Sequence, residues 1–296
     1  MTFIRTPAGL SNQYLFYRVD AVVFVEGGES TYSFAQIMSG LSGSQSIDVL
    51  FWQRLFLLFL PTKKFRFKPV GSKTTIKIIA HHIKNRTISH VYAAMDRDHD
   101  KIRGSLINAP GVLHTHGYSW ENDVFGRSVL KELFISMCCV SINGIGPDAE
   151  IDSCYDDFIR SIRWAVYADI LLSHFNIQLF PRKNPGWIIS TRSDGKPTID
   201  RRKISALINT AKSHKRSSIS LGTNIRYSPF DDCFGHLISL YFYRVLAYLL
   251  KEHSKVPELP KHYAYTAAID QFIRQLPQSS MTVQHQHYQG LFSILP

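Results

Sequence analysis

The sequence predicts an α/β fold, a parallel sheet with flanking helices, followed by a mostly helical C-terminal region. Two observations support this prediction. Short β-branched and aromatic runs alternate with helix-length segments as far as residue 147, and long helical patterns dominate from residue 148 onward. Such alternation is typical of parallel strands joined by crossover helices. We therefore predict two domains, residues 1–147 and 148–296.

In the first half of the chain, strands are predicted wherever an apolar run is short and ends at a turn residue. These strands span residues 20–25, 65–69, 90–95 and 111–115. Helices are predicted between them where apolar residues recur over longer segments, and Glu29-Ser30-Thr31 can cap the first one. The predicted helices span residues 31–41, 47–60, 74–85 and 121–137.

The second half predicts helices separated by breaks that contain proline and glycine. These helices span residues 155–175, 200–214, 234–253 and 263–276. A domain of this kind would supply contacts to a substrate or to a partner protein.

The composition is that of a folded protein with an excess of positive charge. Hydrophobic residues make up 45% and charged residues 19% of the chain. Lysine and arginine outnumber aspartate and glutamate by 34 to 23, which gives a formal net charge of +11. Such a balance favours a polyanionic partner such as nucleic acid, although simple solubility is the alternative.

Neither a membrane segment nor a paired cysteine framework is indicated. The most apolar stretch, residues 47–60, contains Gln53 and Arg54 and is shorter than the roughly 20 residues that a span requires. The four cysteines lack the spacing of a zinc site. We expect reduced, mostly buried thiols in a cytoplasmic protein without a membrane role.

Acidic residues follow two of the predicted strands. Glu26 ends the first strand, and Asp96, Asp98 and Asp100 follow the strand at residues 90–95. Because ligands bind at the carboxyl ends of parallel strands, these groups are expected at one functional edge. In an extended chain, Asp96 and Asp98 would also face the same side.

Clustered carboxylates repel one another unless they share a proton or a cation. Hard oxygen ligands suit Mg²⁺ or Mn²⁺, and two such ions can assist the displacement at a phosphodiester. Acidic clusters after strands are, however, often solvated turns, and this reading stays open.

Four motifs in order resemble the TOPRIM superfamily, and more closely the stand-alone TOPRIM-type effector nucleases of anti-phage systems of the PARIS type. The motifs are Val25-Glu26-Gly27-Gly28-Glu29-Ser30-Thr31, Gly71-Ser72-Lys73, Met95-Asp96-Arg97-Asp98-His99-Asp100 and Gly117-Tyr118-Ser119-Trp120-Glu121-Asn122. The resemblance covers residues 26–122 and implies a TOPRIM-like sheet in the first domain.

The resemblance also implies roles for individual residues. Glu26 would be a metal ligand or general acid/base, and Asp96 and Asp98 would be the metal-binding and catalytic pair. Asp100 would be an additional or outer acid, and Glu121 would assist a second metal. The implied cofactor is Mg²⁺ or Mn²⁺, and the implied reaction is hydrolysis of a phosphodiester.

Effectors of this kind act with an ABC/AAA-type ATPase sensor that restrains them until a phage-encoded trigger is sensed. The resemblance implies host tRNA as substrate, and a homodimer is a candidate for the active form. The alternatives are a DNA nuclease of the overcoming-lysogenization type and a non-catalytic subunit that binds the ATPase. Topoisomerases and primases come last, because their tyrosine-bearing and zinc-binding domains have no counterpart in the sequence.

Several neighbouring residues have competing readings. Lys73 could bind a substrate phosphate or be a solvated lysine after a turn. His99 is expected to face solvent if its segment is extended. Tyr118 and Trp120 could stack on a base, but we expect them to pack in the core.

Overall fold

The structure is a computed structural model that describes residues 6–44, 46–138, 147–213, 225–254, 259–278 and 281–295. The strands are Ala21–Val25 (β1), Phe65–Pro69 (β2), Val91–Met95 (β3), Val112–His114 (β4), Ile189–Thr191 (β5) and Pro197–Ile199 (β6). The helices are Gln13–Tyr17 (α1), Phe34–Met38 (α2), Ile47–Phe59 (α3), Lys73–Lys84 (α4), Trp120–Val124 (α5), Arg127–Cys138 (α6), Asp148–Ser173 (α7), Arg201–Ser213 (α8), Gly235–Ser254 (α9), Lys261–Gln275 (α10) and Thr282–Ser293 (α11).

The chain divides into two compact units. The first comprises Met1–Arg97, Ser105–His116 and Ile273–Pro296, and the second comprises Asp98–Gly104 and Gly117–Phe272. These units do not follow the predicted division at residues 147 and 148. The helix α11 belongs to the first unit, whereas α5 and α6 belong to the second.

A four-stranded parallel sheet organises the first unit, in the order β2-β1-β3-β4. This confirms the predicted parallel sheet with flanking helices. The central strands β1 and β3 are buried along their whole length. Because the strands are parallel, Glu26 after β1 and Asp96 after β3 emerge at the same edge.

Helices cover both faces of this sheet. On one face, Ile76, Ile79 and Ile83 of α4 pack in a core with Val22 and Phe24 of β1. The other face holds aromatic rings of β2, α3 and α11. Phe56 lies 4.7 Å from Phe65 and 4.9 Å from Phe292 by ring centroids, and Phe51 lies 6.2 Å from Tyr288. The helix α11, which the sequence did not predict, thereby completes the first unit.

The second unit is built around α9, whose inward face is fully buried. Phe242 of α9 lies 4.8 Å from Phe125, and Tyr241 stacks on Phe158 of α7 at 4.3 Å. The unit is mostly helical, as predicted. It also contains an antiparallel β5-β6 hairpin that the sequence analysis missed, although Asp194-Gly195 in its turn is a hairpin signal.

The predicted helix over residues 31–41 is wrong in its start. Thr31 Oγ1 donates to the Gly71 carbonyl and the Tyr32 amide donates to the Val70 carbonyl. Residues 31 and 32 therefore lie beside the residues that come after β2, and not in a helix. The helix α2 begins only after Ser33, whose side chain and that of Gln36 form a capping box.

The predicted helix over residues 121–137 is two helices. The break falls at Phe125 and Gly126, between α5 and α6. Phe125 is fully buried between Phe242 and Tyr265. Core packing of this ring, together with the low helix propensity of Gly126, accounts for the interruption.

Cys154 and Cys233 are buried thiols and Cys138 is partly exposed, while Cys139 lies outside the described residues. Burial raises the pKa of Cys154 to about 11, and this holds the thiol protonated at neutral pH. Among the described residues, none of the helices has the length and apolar character that crossing a bilayer demands.

Candidate active site

Glu26 and Asp96 meet at the carboxyl edge of the sheet in the first unit. The Glu26 amide continues the pairing of β1 with β3 by donating to the Ala94 carbonyl at 3.0 Å. The Asp96 amide in turn donates to Glu26 Oε2 at 3.1 Å. The neighbouring strand ends therefore bring together the two acidic residues that the sequence placed at this edge.

Lys73 lies against both residues. Its ammonium nitrogen is 3.2 Å from Glu26 Oε2, and it also donates a hydrogen bond to the Asp96 backbone carbonyl. The side chains of Lys73 and Glu26 are only 22% and 21% exposed. Lys73 is therefore not the solvated lysine that was one interpretation of the sequence. Its ammonium group is held by Glu26 and by the Asp96 carbonyl.

The loop before α4 positions Lys73. Ser72 caps the helix, since its side chain accepts a hydrogen bond from the Thr75 amide at 3.3 Å. Gly71 has a φ of +63° and donates its amide to the Gly27 carbonyl at 3.1 Å. A β-carbon on Gly71 would collide with the Ser30 carbonyl. Glycine is therefore needed both for its backbone conformation and for the close approach of the two loops.

The second unit carries Asp98 and Asp100, and their segment is a turn. Asp98 has a φ of +48°, and its amide donates to the Tyr118 carbonyl at 2.6 Å. The argument that alternate residues share a face therefore does not apply beyond Arg97. His99 is 4% exposed, and its Nε2 lies 3.1 Å from the Asp232 carbonyl oxygen, so the expectation that it faces solvent is wrong. Asp100 is buried as well.

Glu121 is a buried carboxylate at the first turn of α5 in the second unit. Its Oε1 lies 3.3 Å from His236 Nε2, near the start of α9. A β-carbon on Gly235 would lie 2.8 Å from Glu121 Oε2, so only glycine permits this approach. A carboxylate beside the amino end of a long helix also interacts favourably with the helix dipole. The position therefore gives Glu121 a structural role in addition to the predicted metal role.

Tyr118 and Trp120 are buried in the second unit, which confirms the prediction that they pack in the core. Arg182, which the sequence analysis missed, lies over the Phe234 ring at 4.0 Å and over the Tyr118 ring at 5.7 Å. Burial raises the pKa of Tyr118, and the nearby charge of Asp98 raises it further. No spacing pattern could have identified Arg182, because only the fold brings it to these rings.

The donors at the sheet edge fit magnesium in kind. Within the described part of the chain, no three His, Cys, Asp or Glu side chains form a group that could hold a metal. Mg²⁺, however, is commonly bound through one or two carboxylates, with water and substrate phosphate completing its shell. Asp48 is a further acid near this turn, because a side chain on Gly27 would collide with its carboxylate. Sequence reasoning missed Asp48, because an acid in the first turn of α3 indicates only a favourable helix start.

Comparison with known proteins assigns no role to these residues. The chain matches no protein-family model, and no curated protein matches it significantly.

Proposed function

We propose that the chain is a metal-dependent endonuclease of the TOPRIM type that hydrolyses a phosphodiester bond, with RNA as the favoured substrate. The observation that supports this most directly is the pair Glu26 and Asp96 on adjacent parallel strands, with Lys73 against them. A sheet edge with two acids and a cation is a suitable place for a phosphate and its counter-ions.

Each residue of this site in the first unit would have its own role. Glu26 and Asp96 would hold Mg²⁺ or Mn²⁺ through carboxylate oxygens. A bound divalent ion supplies activation of water and stabilisation of charge on the phosphate. Lys73 would release Glu26 when the metal binds and turn its ammonium toward the substrate phosphate. The assignment of Asp98, Asp100 and Glu121 to the metal rests on the sequence motifs.

The biological setting follows from the resemblance of the motifs to AriB-type effectors of PARIS systems. In this proposal, the chain is the toxic effector of an anti-phage system and is held inactive by an ATPase sensor until a phage-encoded trigger releases it. Host tRNA is the favoured substrate, and the net charge of +11 is suited to a polyanion.

Two alternatives remain. A DNA nuclease of the overcoming-lysogenization type would use the same residues on another substrate. A non-catalytic subunit that binds the ATPase is favoured by one observation, namely that Lys73 already neutralises Glu26.

The test is expression of the wild type, Glu26→Gln and Asp96→Asn in cells that contain the presumed ATPase and trigger, followed by sequencing of RNA and DNA ends. Glu29→Gln is the matched control, because Glu29 is an exposed acid three residues from Glu26. We expect new tRNA ends in the wild type and in the control, and none in the two site variants. New DNA ends with the same dependence would select the DNA nuclease. Identical ends in all strains, or none in any, would support the binding subunit.

A further inference from the structure

One face of α7 carries arginines and aromatic rings. Arg163, Trp164 and Tyr167 follow Arg160 by three, four and seven positions, so all four residues lie on the same side of the helix. The opposite side, including Ile162 and neighbouring apolar residues, is buried in the second unit. We call Arg160, Arg163, Trp164 and Tyr167 the α7 aromatic face. Trp164 is 69% exposed, which is unusual for so large an apolar ring.

The rings on this face form a continuous group. Tyr167 lies 6.3 Å from Trp164, edge to face, and 5.6 Å from Tyr227 by ring centroids. The Tyr227 hydroxyl donates to the Arg163 carbonyl at 3.3 Å. Tyr167 and Tyr227 are partly buried, so they support Trp164 from one side and leave its ring open to a ligand.

The charge around the rings is positive. The nearby carboxylates are already paired, Asp157 with Arg160 at 3.4 Å and Asp156 with Arg127 at 2.7 Å. Arg163 makes no ion pair with a carboxylate in the part of the chain that the structure describes. At the edge of the face, Arg201 Nε donates to Ser161 Oγ at 3.4 Å. The face therefore presents an exposed ring beside the guanidinium group of Arg163, which can receive an anion.

We propose that the α7 aromatic face binds unpaired nucleotides of a nucleic acid, with a base stacked on Trp164 and the neighbouring phosphate held by Arg163. Stacking on an exposed aromatic ring beside positive charge is how proteins hold single strands, because every base has a flat face and every linkage a negative charge. A base inside a duplex is already stacked and cannot use the ring. The inference rests on the proposed nuclease function for its substrate, but a binding measurement tests it without any cleavage.

The test uses the full chain in the presence of a metal chelator and fluorescein-labelled 12-nucleotide probes. The probes are an unstructured RNA, a DNA of the same sequence and the corresponding RNA duplex, and binding is followed by fluorescence anisotropy. Trp164→Ala removes the ring, whereas Trp164→Phe keeps a smaller one. Tyr263→Ala is the matched control, because Tyr263 is 65% exposed on α10 of the same unit.

We expect Trp164→Ala to weaken binding of the single strands about tenfold or more, and Trp164→Phe to recover part of the loss. Arg163→Gln should weaken binding and lower the salt dependence by about one counter-ion. Binding of the duplex should be weaker and insensitive to Trp164. The comparison of the RNA and DNA probes identifies which single strand is preferred.

Unchanged single-strand affinity in Trp164→Ala would overturn the proposal, as would a wild-type chain that binds neither single strand. Loss of the complex with the ATPase in Trp164→Ala, with RNA binding retained, would assign the face to a protein partner instead. If the face binds RNA as expected while Glu26→Gln leaves the cellular ends unchanged, the binding surface stands and the nuclease proposal falls.

Discussion

The ammonium of Lys73 lies 3.2 Å from Glu26 Oε2, with both side chains about one-fifth exposed. This ion pair places a protein cation at the carboxylate to which the metal is assigned. Lys73 and a divalent metal would therefore compete for Glu26, since two cations so close together repel each other. In the proposed nuclease, this competition would lower the affinity of the site for the metal.

We predict that Lys73→Met increases the affinity for Mn²⁺ about fivefold, because a partly exposed ion pair contributes about 1 kcal/mol. The measurement is isothermal titration calorimetry of the metal-free chain. Lys77→Met is the control, since it changes another lysine of α4. Equal Mn²⁺ affinity in Lys73→Met and the wild type would contradict the competition.

Gly71→Ala should destabilise the chain by more than the cost of its backbone conformation alone. A left-handed residue other than glycine costs about 1–2 kcal/mol, and at Gly71 the collision with the Ser30 carbonyl adds to this cost. Gly104→Ala is the control, because Gly104 has a φ of +67° and an added β-carbon would meet nothing within 4 Å. Denaturant unfolding should show a larger loss for Gly71→Ala by at least about 1 kcal/mol. Equal losses would show that the loops separate easily.

Glu121→Gln should lower the free energy of unfolding by about 1–3 kcal/mol in the presence of a chelator, because the buried carboxylate pairs with His236 beside the start of α9. A purely metal-binding glutamate would have no such effect without metal. Glu132→Gln, an exposed change on α6, is the control. Unchanged stability in chelator, with weaker stabilisation by Mn²⁺, would favour the metal role alone.

Glu150 makes the second unit sensitive to acid. Burial opposes its ionisation, but hydrogen bonds from Lys196, His253 and Tyr248 outweigh this effect and lower its pKa from 4.5 to about 2. A carboxyl group with a lowered pKa in the folded state stabilises the fold above pH 4.5. That contribution is lost as the pH falls from about 4.5 to about 2.

We therefore predict that Glu150→Gln destabilises the chain at pH 7 by on the order of 1 kcal/mol, since solvent screens this partly exposed network. The difference from the wild type should shrink as the pH is lowered toward about 2. Urea unfolding at several pH values measures it, with the exposed Glu252→Gln of α9 as control. A difference that stays constant with pH would remove Glu150 as the titrating group.

Phe292→Ala should destabilise the first unit by about 3–5 kcal/mol, because this buried ring packs on Phe56 and Phe59 of α3. Val283→Ala changes an exposed residue of the same helix and should cost less than about 0.5 kcal/mol. Thermal unfolding of the two variants compares them. Similar midpoints would mean that α11 is dispensable to the sheet.

The sequence by itself determined the parallel sheet and the edge at which Glu26 and Asp96 meet. Runs such as residues 21–25 and 91–95 are short, apolar and followed by acids, and local pattern suffices to place them on buried parallel strands. The helices α3, α4 and α9 were predictable for a related reason, since length and helical periodicity are also local properties.

Only the tertiary structure decided the features that depend on distant parts of the chain. The ion pair of Lys73 with Glu26, the burial of His99 against Asp232 and the assignment of α11 to the first unit join residues separated by 47 or more positions. No periodicity within either segment encodes such contacts. They form because folding closes long loops, and burial and charge then select which side chains meet.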